Sequence, residues 1–197
     1  MSECEFFLEN EFNEKGIAEK LYRICAGRQN VNFIFVGTDS NIGDSLGPLC
    51  GEITKCKNPS IMFYGDLKNT ITAKDVPYIS EYIKKAHPLS YNVVIDAALG
   101  KVEDIGMIKV CECGIKPGLA VNKDLPLTGD ASIIGVVGER SVSGRLMPQI
   151  TRLSLVYKMA QIISRGITEY IKLKDNSIEH NYFKNENKIE DSMPLKN

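Results

Sequence analysis

Apolar residues recur along the chain with two different periods, and the alternation between them predicts a layered α/β fold. Ile17, Ala18, Leu21, Ile24 and Cys25 fall at helical spacing and stop before Gly27, so the spacing predicts an opening amphipathic helix. Residues 31–36 are a short β-rich apolar run that ends at Gly37, and the polar loop 38–43 follows. Beyond it Leu46, Leu49, Cys50 and Ile53 return to one helical face, with Pro48 in the first turn, where a missing backbone donor costs little. The pattern repeats as a strand at 61–64, a helix at 73–86 and a strand at 91–95 that ends at Asp96. The runs 105–111 and 132–137 read as further strands. A long helix opened by Pro148 carries Leu153, Val156, Tyr157, Ala160, Ile163, Ile167 and Tyr170 along one side. Such alternation implies a mostly parallel twisted sheet with helices on both faces, a three-layer αβα sandwich. Residues 1–173 form one domain on this reading. From 174 onward apolar residues thin out among Asn, Lys and Glu, which predicts a polar tail over 174–197 outside the core.

Composition narrows the function. The 197 residues are 43% hydrophobic, enough for a core without disulfides or a structural metal. Lys and Arg number 24 against 25 Asp and Glu, a balance that argues against a broad nucleic-acid footprint. No apolar run approaches the roughly 20 residues of a membrane span, so no membrane partner is expected. The first fourteen positions hold Glu3, Glu5, Glu9, Glu11 and Glu14 with no basic residue, the reverse of a signal peptide, and the expected location is the cytoplasm. Cys4, Cys25, Cys50, Cys56, Cys111 and Cys113 contain no CxxC pair and no His at zinc-ligand spacing, so reduced thiols and no metal or other cofactor are expected. Cys111 and Cys113 would share one strand face as small apolar side chains.

Loops leaving the carboxyl ends of parallel strands converge on a crevice, and two carboxylates fall there. Asp44 closes the loop after the first strand, and Asp96 stands at the tip of Asn92-Val93-Val94-Ile95. Brought together, two such groups about 4 Å apart repel by roughly 4 kcal/mol at an effective dielectric near 20, and hold one proton between them. One then serves as a base toward water and the other as an acid toward a carbonyl oxygen or leaving amine. Each residue also has a plainer reading. Asp44 can cap the helix that follows it, and Asp96 can hold loop amides in an Asx turn. Asp39 and Asp66 have the setting of turn residues, and Asp39, at the same strand end as Asp44, is also a candidate substrate contact. The segment 37–45 is not a phosphate loop, because its glycines are misplaced and Asp44 stands where the phosphate-binding Lys belongs. Asp39-Ser40-Asn41 does not continue as a calcium loop.

A long Gly- and Pro-punctuated loop spans 114–130, and loops of that length inside compact domains are disproportionately functional. It reads as a lid or substrate wall. Asn122 and Lys123 are its candidate substrate contacts, Lys123 as a cation beside the carboxylates or as a solvated loop lysine. Asp130 is a third acid or a turn residue. A peptide or protein is the expected substrate. The apolar face of the last helix has two candidate covers, its own sheet or a second copy in a homo-oligomer.

Several of these stretches carry a resemblance. Val36-Gly37-Thr38-Asp39, Gly43-Asp44-Ser45-Leu46-Gly47-Pro48, Val94-Ile95-Asp96-Ala97-Ala98-Leu99-Gly100, and Pro117-Gly118 through Asn122-Lys123-Asp124-Leu125-Pro126 to Gly129-Asp130 resemble the YyaC family of sporulation proteins over about 30–140. That family is similar to the spore germination protease, an atypical aspartic endopeptidase, and more distantly to hydrogenase maturation proteases. The resemblance implies a phosphorylase/hydrolase-like sandwich, an aspartic-type peptidase with Asp44 and Asp96 as its catalytic pair, and a place inside the forespore or spore. Lys116 stands where the germination protease has a histidine. Hydrogenase maturation proteases bind nickel through a Glu, an Asp and a His; here those positions hold Asp44, Asp96 and, near the third, Asp130, a set that implies no nickel. A non-catalytic peptide- or partner-binding module on the same fold is the competing reading, because a fold does not establish turnover.

Overall fold

A computed structural model describes residues 4–8, 13–54, 58–116, 128–140 and 151–190, with side chains of the last helix described to 176. The chain forms β1 (Cys4–Phe7), α1 (Asn13–Ile24), β2 (Val31–Phe35), a 3-10 turn (Ile42–Asp44), α2 (Leu46–Ile53), β3 (Ile61–Tyr64), α3 (Val76–Ala86), β4 (Tyr91–Gly100), a second 3-10 turn (Val102–Asp104), β5 (Met107–Cys111), β6 (Ala131–Glu139) and α4 (Leu153–Glu190). The strands make one six-stranded sheet in the order β1-β5-β6-β4-β2-β3. β6, β4, β2 and β3 are mutually parallel, whereas β5 runs antiparallel to β6 and to β1. The expected mostly parallel α/β sandwich is therefore the observed one.

Side-chain alternation sorts the sheet into two faces. Val31, Phe33, Phe35, Val93, Ile95, Ala131 and Ile133 point into the larger cluster, with Ile17 and Leu21 of α1, Leu46 and Cys50 of α2, and Val156, Met159, Ile163 and Ile167 of α4. Ile34, Val36 and Val94 point the other way, against Val76 and Ile83 of α3 and against Ile71. Helices land on opposite faces because the chain steps outward from β2 to β3 through α2 and back past β2 to β4 through α3. With crossovers of one hand, reversing direction switches the face. The apolar face of α4 is thus buried on its own sheet and on α1.

Four details differ from the periodicity. β1 was not foreseen, a short strand held by its pairing from Cys4↔Val110 to Phe7↔Met107, by the Glu5–Lys109 ion pair and by Phe6 packing against the core. β4 does not end at Asp96 but continues to Gly100, because β6 keeps pairing with it through Gly100↔Glu139. On α4, Leu153 and Tyr157 are 56% and 47% exposed, and the buried stripe runs instead through Val156, Met159, Ala160, Ile163, Ile167 and Tyr170. The polar tail from 174 opens as helix, and its first residues belong to the body: Lys174 is buried and its Nζ donates to the Arg28 and Gln29 carbonyls at 2.8 Å each. Asp175 Oδ1 accepts from Asn58 Nδ2. Charged donors to carbonyls contribute about 2 kcal/mol, so Lys174→Ala is expected to lower unfolding free energy by about that amount in a urea titration.

Among the described cysteines, Cys25, Cys50, Cys111 and Cys113 are free thiols, the first two buried. Burial pushes Cys25 up to about 11, and Cys50 rises further for the same reason, so neither ionises near neutral pH. β5 ends at Cys111, so Cys113 lies beyond the strand rather than on its face. No helix among the described residues is long and apolar enough to cross a membrane.

Candidate functional site

β2 leads outward to β3, while β4 lies on its other side, so the β2–β4 seam is the point where strand order reverses. At such a point the loops leaving adjacent carboxyl ends part and open a crevice. Pairing between β2 and β4 runs from Val31↔Tyr91 to Phe35↔Ile95 and stops there. Asp96 is the next residue. It keeps its β6 partner, Ile134, but on the β2 side it stands at the mouth of the crevice, level with Val36. Sharing the parity of Val94, its side chain faces the α3 side of the sheet.

Asp44 reaches the same mouth by a tightly held loop. Val36 N–H donates to Ile95 O at 2.8 Å, Gly37 N–H to Ile71 O at 2.8 Å, and Thr38 N–H to Asp44 O at 3.0 Å. Asn41 Oδ1 accepts from Gly43 N–H at 2.9 Å, and Ser45 Oγ donates to Ile42 O at 2.9 Å, closing the 3-10 turn that carries Asp44. Gly37 adopts φ 141°, and a Cβ there would fall 2.0 Å from Asp44 O. Only glycine allows that approach. Gly47 and Gly51 do the same for α2, whose added Cβ atoms would lie 2.0 Å from Val36 O and 2.0 Å from Gly65 O. α2 therefore rests with backbone on the ends of β2 and β3, which holds Asp44 beside the crevice. Sequence reasoning missed Gly47 and Gly51; their signal was two glycines one turn apart inside a helical pattern.

The capping reading of Asp44 is overturned. Asp44 is the last residue of the 3-10 turn, and Ser45 holds the N-cap position of α2 without a side-chain cap bond. The Asp44 carboxylate is half-buried, and among the described residues it has neither a hydrogen-bond donor nor an ion-pair partner. Burial raises its pKa above the ordinary carboxylate value. Asp96 Oδ1 accepts from Ala97 N–H at 2.8 Å, a single local amide. Burial pushes Asp96 up to about 7, that amide pulls the other way, and the charge of Asp44 adds a smaller upward push. The charge of Asp44 is thus felt at Asp96, while burial accounts for the rise at Asp44.

The other candidate contacts divide. Asp39 is exposed in the loop between β2 and the 3-10 turn, on the same edge as Asp44. Asp130 is a correction. β4 and β6 pair Val93 with Ala131 and Asp96 with Ile134, so Asp130 lies level with Asn92, about 13 Å from Asp96 at roughly 3.3 Å per residue. Its Oδ2 accepts from Asn92 N–H at 2.8 Å, the turn role, at the amino end of the parallel strands. Asp66 is likewise a turn residue, its Oδ1 accepting from Lys68 N–H and Asn69 N–H. Asn122 and Lys123 lie outside the described residues. The ends of their loop are joined by the Ile115↔Thr128 bridge, and Ile115 packs on the cluster beneath α3, the face Asp96 shares.

Asp44 and Asp96 offer two oxygen donors. The third position of the nickel-binding pattern, Asp130, is engaged at the other end of the sheet, and His87 caps the end of α3. Among the described residues no three His, Cys, Asp or Glu side chains converge as a metal site. The described residues do not make up the nickel set.

Comparison with known proteins agrees with this architecture. The chain is 34% identical over 147 residues to the uncharacterized protein YyaC of Bacillus subtilis, covering 74% of this chain and 71% of that one. Its fold matches the NiFe-hydrogenase maturation protease HycI of Thermococcus kodakarensis with a TM-score of 0.50 and 18% identity, over 77% of this chain and 98% of that one. Residues 6–166 match the family described as Protein of unknown function (DUF1256), and the chain belongs to that family.

Proposed function

We propose that this protein is a peptide-bond hydrolase of aspartic type, with Asp44 and Asp96 activating water at the β2–β4 crevice. The reading is supported by two carboxylates at the mouth of one crevice, both raised by burial, one to about 7, with the charge of Asp44 felt at Asp96. The fold shared with a maturation protease and the resemblance of the Asp44 and Asp96 motifs to those of the germination protease support a peptide as substrate.

Below about pH 7 the more deeply buried Asp96 is the member that holds the proton, which leaves Asp44 to act as the base. Asp44 takes a proton from water as the water oxygen bonds to the peptide carbonyl carbon, and Asp96 gives its proton to the carbonyl oxygen. When the carbon–nitrogen bond breaks, Asp44 passes its proton to the leaving amine and Asp96 recovers one from the hydroxyl. The pair ends as it began. Its titration belongs to both groups together.

The test is digestion of a proteome-derived peptide mixture by the full chain, with new termini identified by mass spectrometry. Asp44→Asn and Asp96→Asn are each expected to slow cleavage at least about 100-fold, the usual scale of a lost acid or base. Cleavage by the unsubstituted chain is expected to fall as pH rises through about 7, where Asp96 gives up its proton. Undiminished cleavage by either variant overturns the assignment. Absence of cleavage by the unsubstituted chain would make the crevice a binding site instead.

A further inference from the structure

Asp96, Val36 and Ile71 are successive neighbours across the carboxyl edge of the sheet. Val36 follows the Phe35↔Ile95 pair and so lies beside Asp96, and Val36 bridges to Ile71 in parallel fashion. Val36 and Ile71 are buried in the cluster under α3, so the row is the covered edge that links the crevice at Asp96 to what lies beyond Ile71. Past Ile71 the edge opens into a cleft of about 610 Å³ between the end of β3 and the first turn of α3. That volume lies within the range of ligand pockets.

The chemistry of the cleft is specific. Tyr64, Tyr78, Asp66 and Asp75 are among its walls, and among the described residues no Lys, Arg or His lines it. Each carboxylate is fixed in place by its own turn. Asp75 Oδ2 accepts from Thr72 N–H at 2.9 Å and from Thr72 Oγ1, while its Oδ1 has no partner among the described residues. Asp66 Oδ1 is taken by the amides of its turn, and its Oδ2 has only a 3.5 Å contact from Asn69 Nδ2. Tyr78 is 75% exposed, and Tyr64 stacks edge-on against Tyr82 with ring centroids 6.3 Å apart. Aromatic faces beside preset carboxylate oxygens hold a cation on a long apolar stem, which is an Arg or Lys side chain. A neutral apolar side chain would leave the carboxylates unserved, and an acidic one would be repelled.

We propose that this cleft is a specificity pocket for a basic side chain of an extended peptide that runs along the carboxyl edge of the sheet from the crevice at Asp96. Two strand spacings separate β4 from the β3 side, about 10 Å, which an extended chain covers in about three residues. The basic residue therefore sits about three positions from the bond presented to the carboxylate pair. The proposal takes its peptide from the reading above, but its binding step does not require turnover.

The test uses the full chain carrying both Asp44→Asn and Asp96→Asn, and fluorescein-labelled Ala/Ser dodecapeptides with one central Arg or its neutral isostere citrulline. By fluorescence anisotropy at low salt the Arg peptide is expected to bind about tenfold more tightly, the scale of a partly desolvated cation beside aromatic and carboxylate groups. Asp66→Asn with Asp75→Asn should erase the preference, and Tyr78→Ala, at an exposed position, should reduce it several-fold. Equal binding of the two peptides, or no binding of either up to millimolar protein, overturns the pocket. Continued cleavage by the single Asn variants would overturn the carboxylate pair and leave the Arg preference standing, so the two failures are distinct.

Discussion

Asp96→Asn is expected to raise the melting temperature by about 5–10 °C at pH 8 and to leave it nearly unchanged at pH 4, given roughly 2–4 °C per kcal/mol for a chain of this size. In the unfolded chain Asp96 ionises near 3.8, and in the folded chain near 7. Between those values the folded state retains a proton that the unfolded state has released, so stability falls as pH rises from about 4 to about 7. Above 7 the whole cost of an ionised carboxylate in a dry setting is present. The shift corresponds to at most about 4 kcal/mol, and residual solvent at the crevice mouth trims it to about 2–4. Asn is nearly isosteric, keeps an oxygen for the Ala97 amide and carries no charge, so it relieves that cost. Thermal melts at both pH values check the expectation. An equal change at the two pH values, or a loss at pH 8, would show that Asp96 is not held at a raised pKa. A residue that destabilises the fold near neutral pH, in the crevice mouth and with cleavage expected to depend on it, matches strain kept for chemistry.

Gly47→Ala should cost about 3 kcal/mol, although alanine is the better helix former by roughly 1 kcal/mol. The added Cβ would lie 2.0 Å from Val36 O and 2.8 Å from Val36 N and C, all backbone atoms of a buried segment that cannot swing aside. α2 must lift off the end of β2. Because α2 starts one residue after Ser45, the displacement is passed to Asp44, and a shift of about 1 Å there would slow cleavage about 100-fold even where the variant is fully folded. Urea titration gives the first number and cleavage well below the melting temperature the second. A variant more stable than the parent would mean that α2 does not rest on Val36.

The two expectations show how differently the two acids were legible. Asp96 could be marked in the sequence because three apolar residues, Val93, Val94 and Ile95, precede it and Ala97, Ala98 and Leu99 follow, and a carboxylate inside such a run has poor access to water. Asp44 was ambiguous, since a polar residue before a helical pattern is the ordinary sign of a cap. Only the 3-10 turn, which inserts Asp44 one position too early and leaves the N-cap to Ser45, frees its carboxylate. Asp130 failed for a related reason. Its place after a long loop and before a strand was correct, but register sets it beside Asn92, and register is not written in local periodicity.

Hydrophobic spacing by itself determined the strand β3 to its last residue, the positions of β2, α2 and β6, and the α/β class, because burial of a face imposes a period on nearby residues. Tertiary pairing decided the rest. β6 carries β4 past Asp96, the strand reversal at β2 opens the crevice, and two glycines bring a helix backbone onto Val36 and Gly65 so that Asp44 stands beside it. The aromatic and acidic cleft past Ile71 is assembled from β3, a turn and α3, and no window of sequence shorter than that span contains it. Contacts between residues far apart in the chain leave no periodic trace in either segment, and for that reason the site became visible only when the sheet was assembled.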